Sequence, residues 1–163
     1  EVAQSVAADV YINVQGDEPL ARPDHIAGLV ALMQRGDVDV GTVKTACAAG
    51  DIANPNAVKV VTDNVGRALY FSRSPIPYVR VGEKAAYLKH VGLYVFRREA
   101  LFQFTAWGES SLEKAEKLEQ LRFLEHGVAI RTALTTYESI PVDTAEDAER
   151  VRQVLSTTEG RQL

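Results

Sequence analysis

The chain has 163 residues, 46% hydrophobic and 25% charged, enough for one ordinary globular domain, or a large part of one, with a substantial core. Eighteen basic against 22 acidic side chains give a net charge of −4 with no block of like charge, which excludes a broad electrostatic surface for nucleic acid or anionic membrane. A single cysteine excludes an internal disulfide and fits a reducing cytoplasm, and short apolar runs such as 28–33 exclude a bilayer span.

In chain order, Val10–Val14 reads as a buried interior parallel strand, followed by Gln15-Gly16-Asp17-Glu18-Pro19. Nothing before it supplies a partner strand, a dinucleotide fingerprint or a phosphate-binding glycine loop, so the chain reads as lacking an N-terminal portion. Pro23 and Asp24 open a helix to about Gln34, with Ile26, Val30 and Met33 on one face and Gly36 as its stop. A strand is expected over 38–45, then a loop over 47–56 in which Cys47 is a small buried residue. Strands over 58–62 and 67–72 are joined by the turn Asp63-Asn64-Val65-Gly66. Pro75 and Pro77 force an extended segment, and 89–96 is the next strand. Helices are expected over 99–107 and, from a Ser110/Glu113 capping box, over 110–126 with Gly127 as C-cap. A strand over 128–134 and a Thr144-capped helix to about Ser156 complete the chain, and the tail 157–163 reads as frayed. The expected architecture is a single partial α/β domain over 1–163, a mixed, mostly parallel sheet flanked by helices.

Carboxylates at strand ends are the first chemical signal. Asp17 follows the opening strand, and Asp143 follows Ile140-Pro141-Val142. Thr144 and Asp147 can cap the last helix between them, which leaves the Asp143 carboxylate free; a turn aspartate without a task is the alternative. Two such acids converging on a hard cation would neutralise phosphate charge. Glu18 is the weaker candidate, because one of two adjacent acids generally points away. In the 110–126 helix, Leu112, Ala115 and Phe123 mark one face and Glu119 falls within it, an acid in an apolar stripe. Glu113, Glu116 and Glu125 read as solvated charges, and Gln120 is ambiguous. Arg73, before the proline segment, is placed to grip a carboxylate or phosphate, or to form a surface salt bridge. His90 and Tyr94 share a strand face and, with Lys89 or Glu119, could bind hydroxyls, though each alone suits a core. His25, His126 and Trp107 read as structural.

Six segments in order carry a resemblance: 13–19, 54–61, 68–77, 89–94, 111–122 and 142–147. Together they resemble the 3-deoxy-manno-octulosonate (Kdo) cytidylyltransferases of the sugar-nucleotidyltransferase superfamily. The resemblance implies a nucleotide-binding α/β fold, Mg2+, and conversion of CTP and Kdo to CMP-Kdo and pyrophosphate for lipopolysaccharide assembly, in a cytoplasmic homodimer. It implies Asp17 and Asp143 as metal ligands, and Gln15, Arg73, His90, Tyr94, Glu119 and Gln120 around the sugar acid, with Arg73 on its carboxylate. Related transferases for sialic acid or an amino-Kdo, and a non-catalytic remnant or dimerisation module, are the alternatives. The family's phosphate-binding loop precedes the first strand, so this chain alone is expected to bind CTP poorly and not to turn over.

Overall fold

The computed structural model describes residues 2–81, 83–137, 139–142 and 144–157. Six strands form one sheet: β1 (Val10–Val14), β2 (Val40–Ala46), β3 (Lys59–Thr62), β4 (Ala68–Ser72), β5 (Leu88–Arg97) and β6 (Ile130–Leu134). Their order is β4-β3-β5-β2-β6, with β1 also paired to β5. The helices are α1 (Val2–Ser5), α2 (Pro23–Met33), α3 (Arg98–Ala106), α4 (Ser111–Glu116), α5 (Leu121–Glu125) and α6 (Ala145–Ser156).

The period-2 alternation of β5 explains the layers. Val91, Leu93 and Val95 face α2 and bury Leu29, Met33, Val38 and Val43 with them. Tyr94 and Phe96 face the other way, into a core with Phe71, Leu118, Leu121, Phe123 and Ile130 under α3 and α5. There Phe123 stacks on Phe96 and Phe104, with ring centroids 5.8 and 4.7 Å away. The helix expected at 23–34 is α2, but its buried face is His25, Leu29 and Met33. Val30, assigned inward from the sequence, is 42% exposed. Successive i, i+4 residues define that face, whereas Ile26 and Val30 lie one residue round from it.

The mixed sheet flanked by helices is as expected, with one correction to its pairing. β1, β2, β3 and β6 run the same way, yet β5 lies antiparallel to β1, β2 and β3, so β2–β6 is the one parallel pair among the described residues. β1 is therefore not an interior parallel strand. The turn after β3 is too short for a crossover, so β4 reverses, and β5 enters the middle of the sheet in the same sense as β4. Gly66 makes that turn at φ 80°, where its N–H reaches the Asp63 carbonyl at 3.1 Å. The turn then folds back to the far strand. Thr132 of β6 donates to the Gly66 carbonyl through both its N–H and its hydroxyl, each at 2.8 Å.

The helix expected over 110–126 is broken. α4 stops at Glu116, Lys117 takes a left-handed conformation at φ 54°, and α5 starts afresh at Leu121. The cause is tertiary. The Arg73 side chain takes the Glu116 carbonyl at 2.7 Å through Nε and the Lys117 carbonyl at 3.4 Å through Nη2, which satisfies acceptors that further helix would have used. The acids assigned to a solvated face hold the break in place. Buried Glu113 forks onto Arg122 at 2.5 and 2.8 Å, which holds its carboxyl below the usual range. Glu116 accepts from the Ser72 hydroxyl at 2.6 Å, and Glu125 from Leu112 N–H at 3.0 Å.

A left-handed lysine is strained by about 1 kcal/mol relative to glycine. Lys117→Gly should therefore raise unfolding stability by about 0.5–1 kcal/mol in urea titrations, and Lys117→Val should lower it.

Candidate functional site

Pairing along one side of β5 creates the site. β1 covers that side down to Val14↔Leu93, and β3 resumes it at Lys59↔Lys89, with His90 N–H donating to the Val58 carbonyl at 2.8 Å. Between the two strand ends, His90 and Gly92 of β5 floor a cavity of about 720 Å3. Its walls are the 15–18 turn after β1, the 56–58 loop, the 117–120 break and Ser139–Pro141.

The floor is a bulge. Thr42 pairs with Tyr94 while Val43 pairs with Val91, so Gly92 and Leu93 are surplus to the ladder with β2. Backbone groups freed this way need other partners. The Leu93 carbonyl, which faces β2, accepts from the Thr42 hydroxyl at 2.8 Å, and the Gly92 N–H, which faces the gap between β1 and β3, donates to Glu18 Oε1 at 2.8 Å. The bend also explains a distance. Residues four apart on a straight strand are about 13 Å apart, yet the His90 and Tyr94 rings lie 5.3 Å apart.

Gln15, Arg73, His90, Tyr94, Glu119 and Gln120 all line this cavity, as does half-buried Asp17. Asp143 lies outside the described residues. Its chain neighbour Val142 donates its N–H to the Asp17 carbonyl at 2.9 Å. No hydrogen bond or ion pair to a described residue engages the Asp17 carboxylate. Among the described residues, no group of three or more His, Cys, Asp or Glu is arranged to hold a metal.

Arg73 forms no ion pair among the described residues. Besides its bonds to the Glu116 and Lys117 carbonyls, Nη1 reaches the Pro55 carbonyl at 2.9 Å, so the guanidinium ties two cavity walls together. Of its five N–H groups, two remain for a ligand. Glu119 reaches the cavity as an exposed side chain of the 117–120 break, not as an acid in an apolar stripe. Gln120 beside it is buried.

His90 is kept neutral: burial pushes its pKa down to about 3. The single Thr42 hydroxyl proton goes to the Leu93 carbonyl, so this oxygen accepts from His90 Nε2, 2.9 Å away. That tautomer leaves Nδ1 as an acceptor. Burial likewise raises the Tyr94 pKa, so the phenol stays protonated as a donor.

The sequence reading underrated Glu18 and did not single out Ser139. Glu18 is 6% exposed and also accepts from the Ser139 hydroxyl. Lys89, likewise buried, pairs with Asp51 at 3.1 Å and donates to the Ser139 carbonyl at 2.9 Å. One signal was available: an isolated glycine inside a strand marks a bulge or a close approach. A Cβ on Gly92 would lie 2.8 Å from Gln15 Oε1 and 3.0 Å from Glu18 Oε1. Fully buried Lys59, held by the Asn54 and Ala57 carbonyls at 2.7 and 2.5 Å, was also missed. His25 and His126 fill structural positions: His25 Nδ1 accepts the Arg22 N–H at 3.2 Å, and His126 stacks on half-buried Trp107 at 4.0 Å. Cys47 is half-buried rather than buried.

The cytidylyltransferase family profile matches residues 1–140. This chain belongs to the cytidylyltransferase family. Among its cytidylyltransferase relatives, the 3-deoxy-manno-octulosonate cytidylyltransferase of Koribacter versatilis is 60% identical over 156 residues, 95% of this chain and 60% of that protein. Its Escherichia coli namesake is 46% identical over 157 residues, 96% of this chain and 64% of that protein. The chain thus spans between 60% and 64% of these relatives' lengths. A solved CMP:2-keto-3-deoxy-manno-octonic acid synthetase complexed with CTP superposes with a TM-score of 0.88 at 44% identity, covering 99% of this chain and 66% of that one. The inositol-1-phosphate CTP transferase of T. maritima shares the cytidylyltransferase fold alone, with a TM-score of 0.60 at 12% identity over 95% of this chain and 58% of that one.

Two outcomes follow from the floor. Gly92→Ala should displace the Gln15 side-chain amide, seen as a shifted NMR resonance, while Tm moves by less than about 4 °C, because the closest clashing atom is the end of a flexible side chain and the held Glu18 oxygen, at 3.0 Å, need give by only a few tenths of an ångström. For His90, the unfolded chain binds a proton below about pH 6.5 that the folded chain refuses until about pH 3. Its contribution is therefore full above pH 6.5 and is lost as pH falls towards 3. Glu18, raised by burial, acts oppositely, losing stability as pH rises above 4.5. His90→Gln should flatten the acid side of a stability–pH curve between pH 6.5 and 3, measured by urea unfolding.

Proposed function

We propose that the complete protein is a CMP-Kdo synthetase and that this chain carries the sugar-acid half of its active site. The anomeric hydroxyl of Kdo attacks the α-phosphorus of CTP, forming the phosphodiester bond of CMP-Kdo and expelling pyrophosphate. The observation that carries this reading is the gathering of Gln15, Asp17, Arg73, His90, Tyr94, Glu119 and Gln120 from separate elements around one cavity. The names of the relatives support Kdo over sialic acid or an amino-Kdo. Lipopolysaccharide assembly, a cytoplasmic location and a homodimer follow from the resemblance. Among the described residues no helix is long and apolar enough to cross a membrane.

The chain's own groups bind and orient. The two N–H groups left on Arg73 suit the carboxylate of a sugar acid. His90 Nδ1 accepts a hydroxyl proton, the Tyr94 phenol donates, and Glu119 and Gln120 take further hydroxyls. Fixing the sugar this way aligns the attacking oxygen and removes its freedom before reaction. Asp17 fits a hard divalent cation, since its carboxylate is uncommitted to any described residue. Mg2+ is usually held by one or two carboxylates plus substrate phosphates rather than by a full protein cage. Asp17 with Asp143 would hold it, and the bound ion would offset charge building on the phosphate.

The test is pyrophosphate release by the complete protein, with CTP and a panel of Kdo, amino-Kdo and sialic acid. Kdo should be preferred and Mg2+ required. Asp17→Asn should lower kcat about 100-fold or more with an unchanged circular dichroism spectrum. Arg73→Ala should raise KM for Kdo. Turnover with sialic acid alone, or full turnover in Asp17→Asn, would refute the assignment.

A further inference from the structure

We propose that Glu18 is a positioning residue for the cation site, a clamp that fixes the Asp17 turn against the 139–142 segment. The inference rests on the cation reading above, in that Asp17 is taken as a ligand. It is carried by two attachments made by neighbouring residues. Glu18 Oε2 accepts from the Ser139 hydroxyl, and the Asp17 carbonyl accepts from Val142 N–H at 2.9 Å. Two points of attachment set both the distance and the orientation between the turn and the segment; one would leave a swivel.

Both partners of the clamp are themselves anchored. Glu18 Oε1 takes the Gly92 N–H at 2.8 Å, which ties the turn to the β5 bulge. Ser139 is 1% exposed, and its carbonyl is held by Lys89 at 2.9 Å, with Lys89 in turn on Asp51 at 3.1 Å. Glu18 borders the cavity at 6% exposure, with both of its oxygens spent on neutral donors of the clamp. Its role is therefore to hold Asp17 and not to bind the metal. Residues that orient metal ligands commonly change affinity by about 10–100-fold when removed.

Shape and charge are separable at this position. In Glu18→Gln the amide oxygen can still accept from Gly92 and the amide NH2 can donate to the Ser139 oxygen, so the clamp survives without its charge. Glu18→Ala loses both.

The experiment measures Mn2+ affinity of the complete protein by electron paramagnetic resonance of the free ion, with near-UV circular dichroism for folding. Glu18→Ala should weaken binding about 10-fold or more, Ser139→Ala about 3–10-fold, and Glu18→Gln less than about 3-fold. The Glu18→Ala/Ser139→Ala double variant should be no weaker than Glu18→Ala, because both changes cut the same link. If Glu18→Ala does not fold, Ser139→Ala decides alone: weaker binding supports the clamp and unchanged binding overturns it. Full affinity in Glu18→Ala, an equal loss in Glu18→Gln, or losses that simply multiply in the double variant would each overturn it. Asp17→Asn reports on the cation reading itself. Loss there with full binding in Glu18→Ala removes the clamp alone; no binding by the wild type, or binding that survives Asp17→Asn, removes the cation reading and the clamp with it.

Discussion

Two surplus residues in β5 set the terms for everything around them. Gly92 and Leu93 have no counterpart on β2 and Gly92 falls in the gap between β1 and β3, so the strand bends, and backbone groups that a ladder would have paired are turned loose. A buried N–H or C=O without a partner costs roughly 1–3 kcal/mol, so side chains are drawn in to meet them. Glu18 comes from the 15–18 turn and Thr42 from β2. The same bend brings His90 beside Tyr94 and fixes the His90 tautomer through Thr42. One irregularity in one strand thus places an acceptor, a phenol and a buried carboxylate around a common floor.

Arg73 and Lys59 do for the walls what Glu18 does for the floor. Neither cation has a carboxylate partner among the described ion pairs, and both spend their donors on main-chain carbonyls. Lys59 gathers Asn54 and Ala57; Arg73 joins Pro55 to Glu116 and Lys117. Cations held by carbonyls keep more of their field than cations neutralised by acids. In an acidic chain with net charge −4 this leaves the Arg73 guanidinium at the cavity wall without an acid to neutralise it, among the described residues.

What was legible in the sequence divides by range. Hydrophobic alternation and turn chemistry located β1, the β3–β4 hairpin, α2 and the Thr144-capped α6, because each depends on residues close in the chain. The break at Lys117 was not legible: a lysine carries no left-handed signature, and its cause is an arginine 44 residues earlier. Glu119 was singled out by a helical stripe that does not exist, although it lines the cavity. Glu18 was discounted by a rule about adjacent acids, when the group that captures it, the Gly92 amide, is 74 residues away. Glu113, read as solvated, is buried by its fork to Arg122. In each case the deciding partner was remote, and periodicity carries no information about remote partners.

The return of the hairpin to β6 has a further effect. Thr132's two bonds to Gly66, with the bridge between Arg67 and Arg131, stitch the β3–β4 ribbon across to the opposite flank. A sheet gathered into a curl in this manner has little exposed rim there, and exposed rims are what recruit neighbouring molecules into unwanted ladders. Self-association through those flanks is disfavoured by the way the ribbon closes, with the charged side chains of Arg67 and Arg131 at the seam.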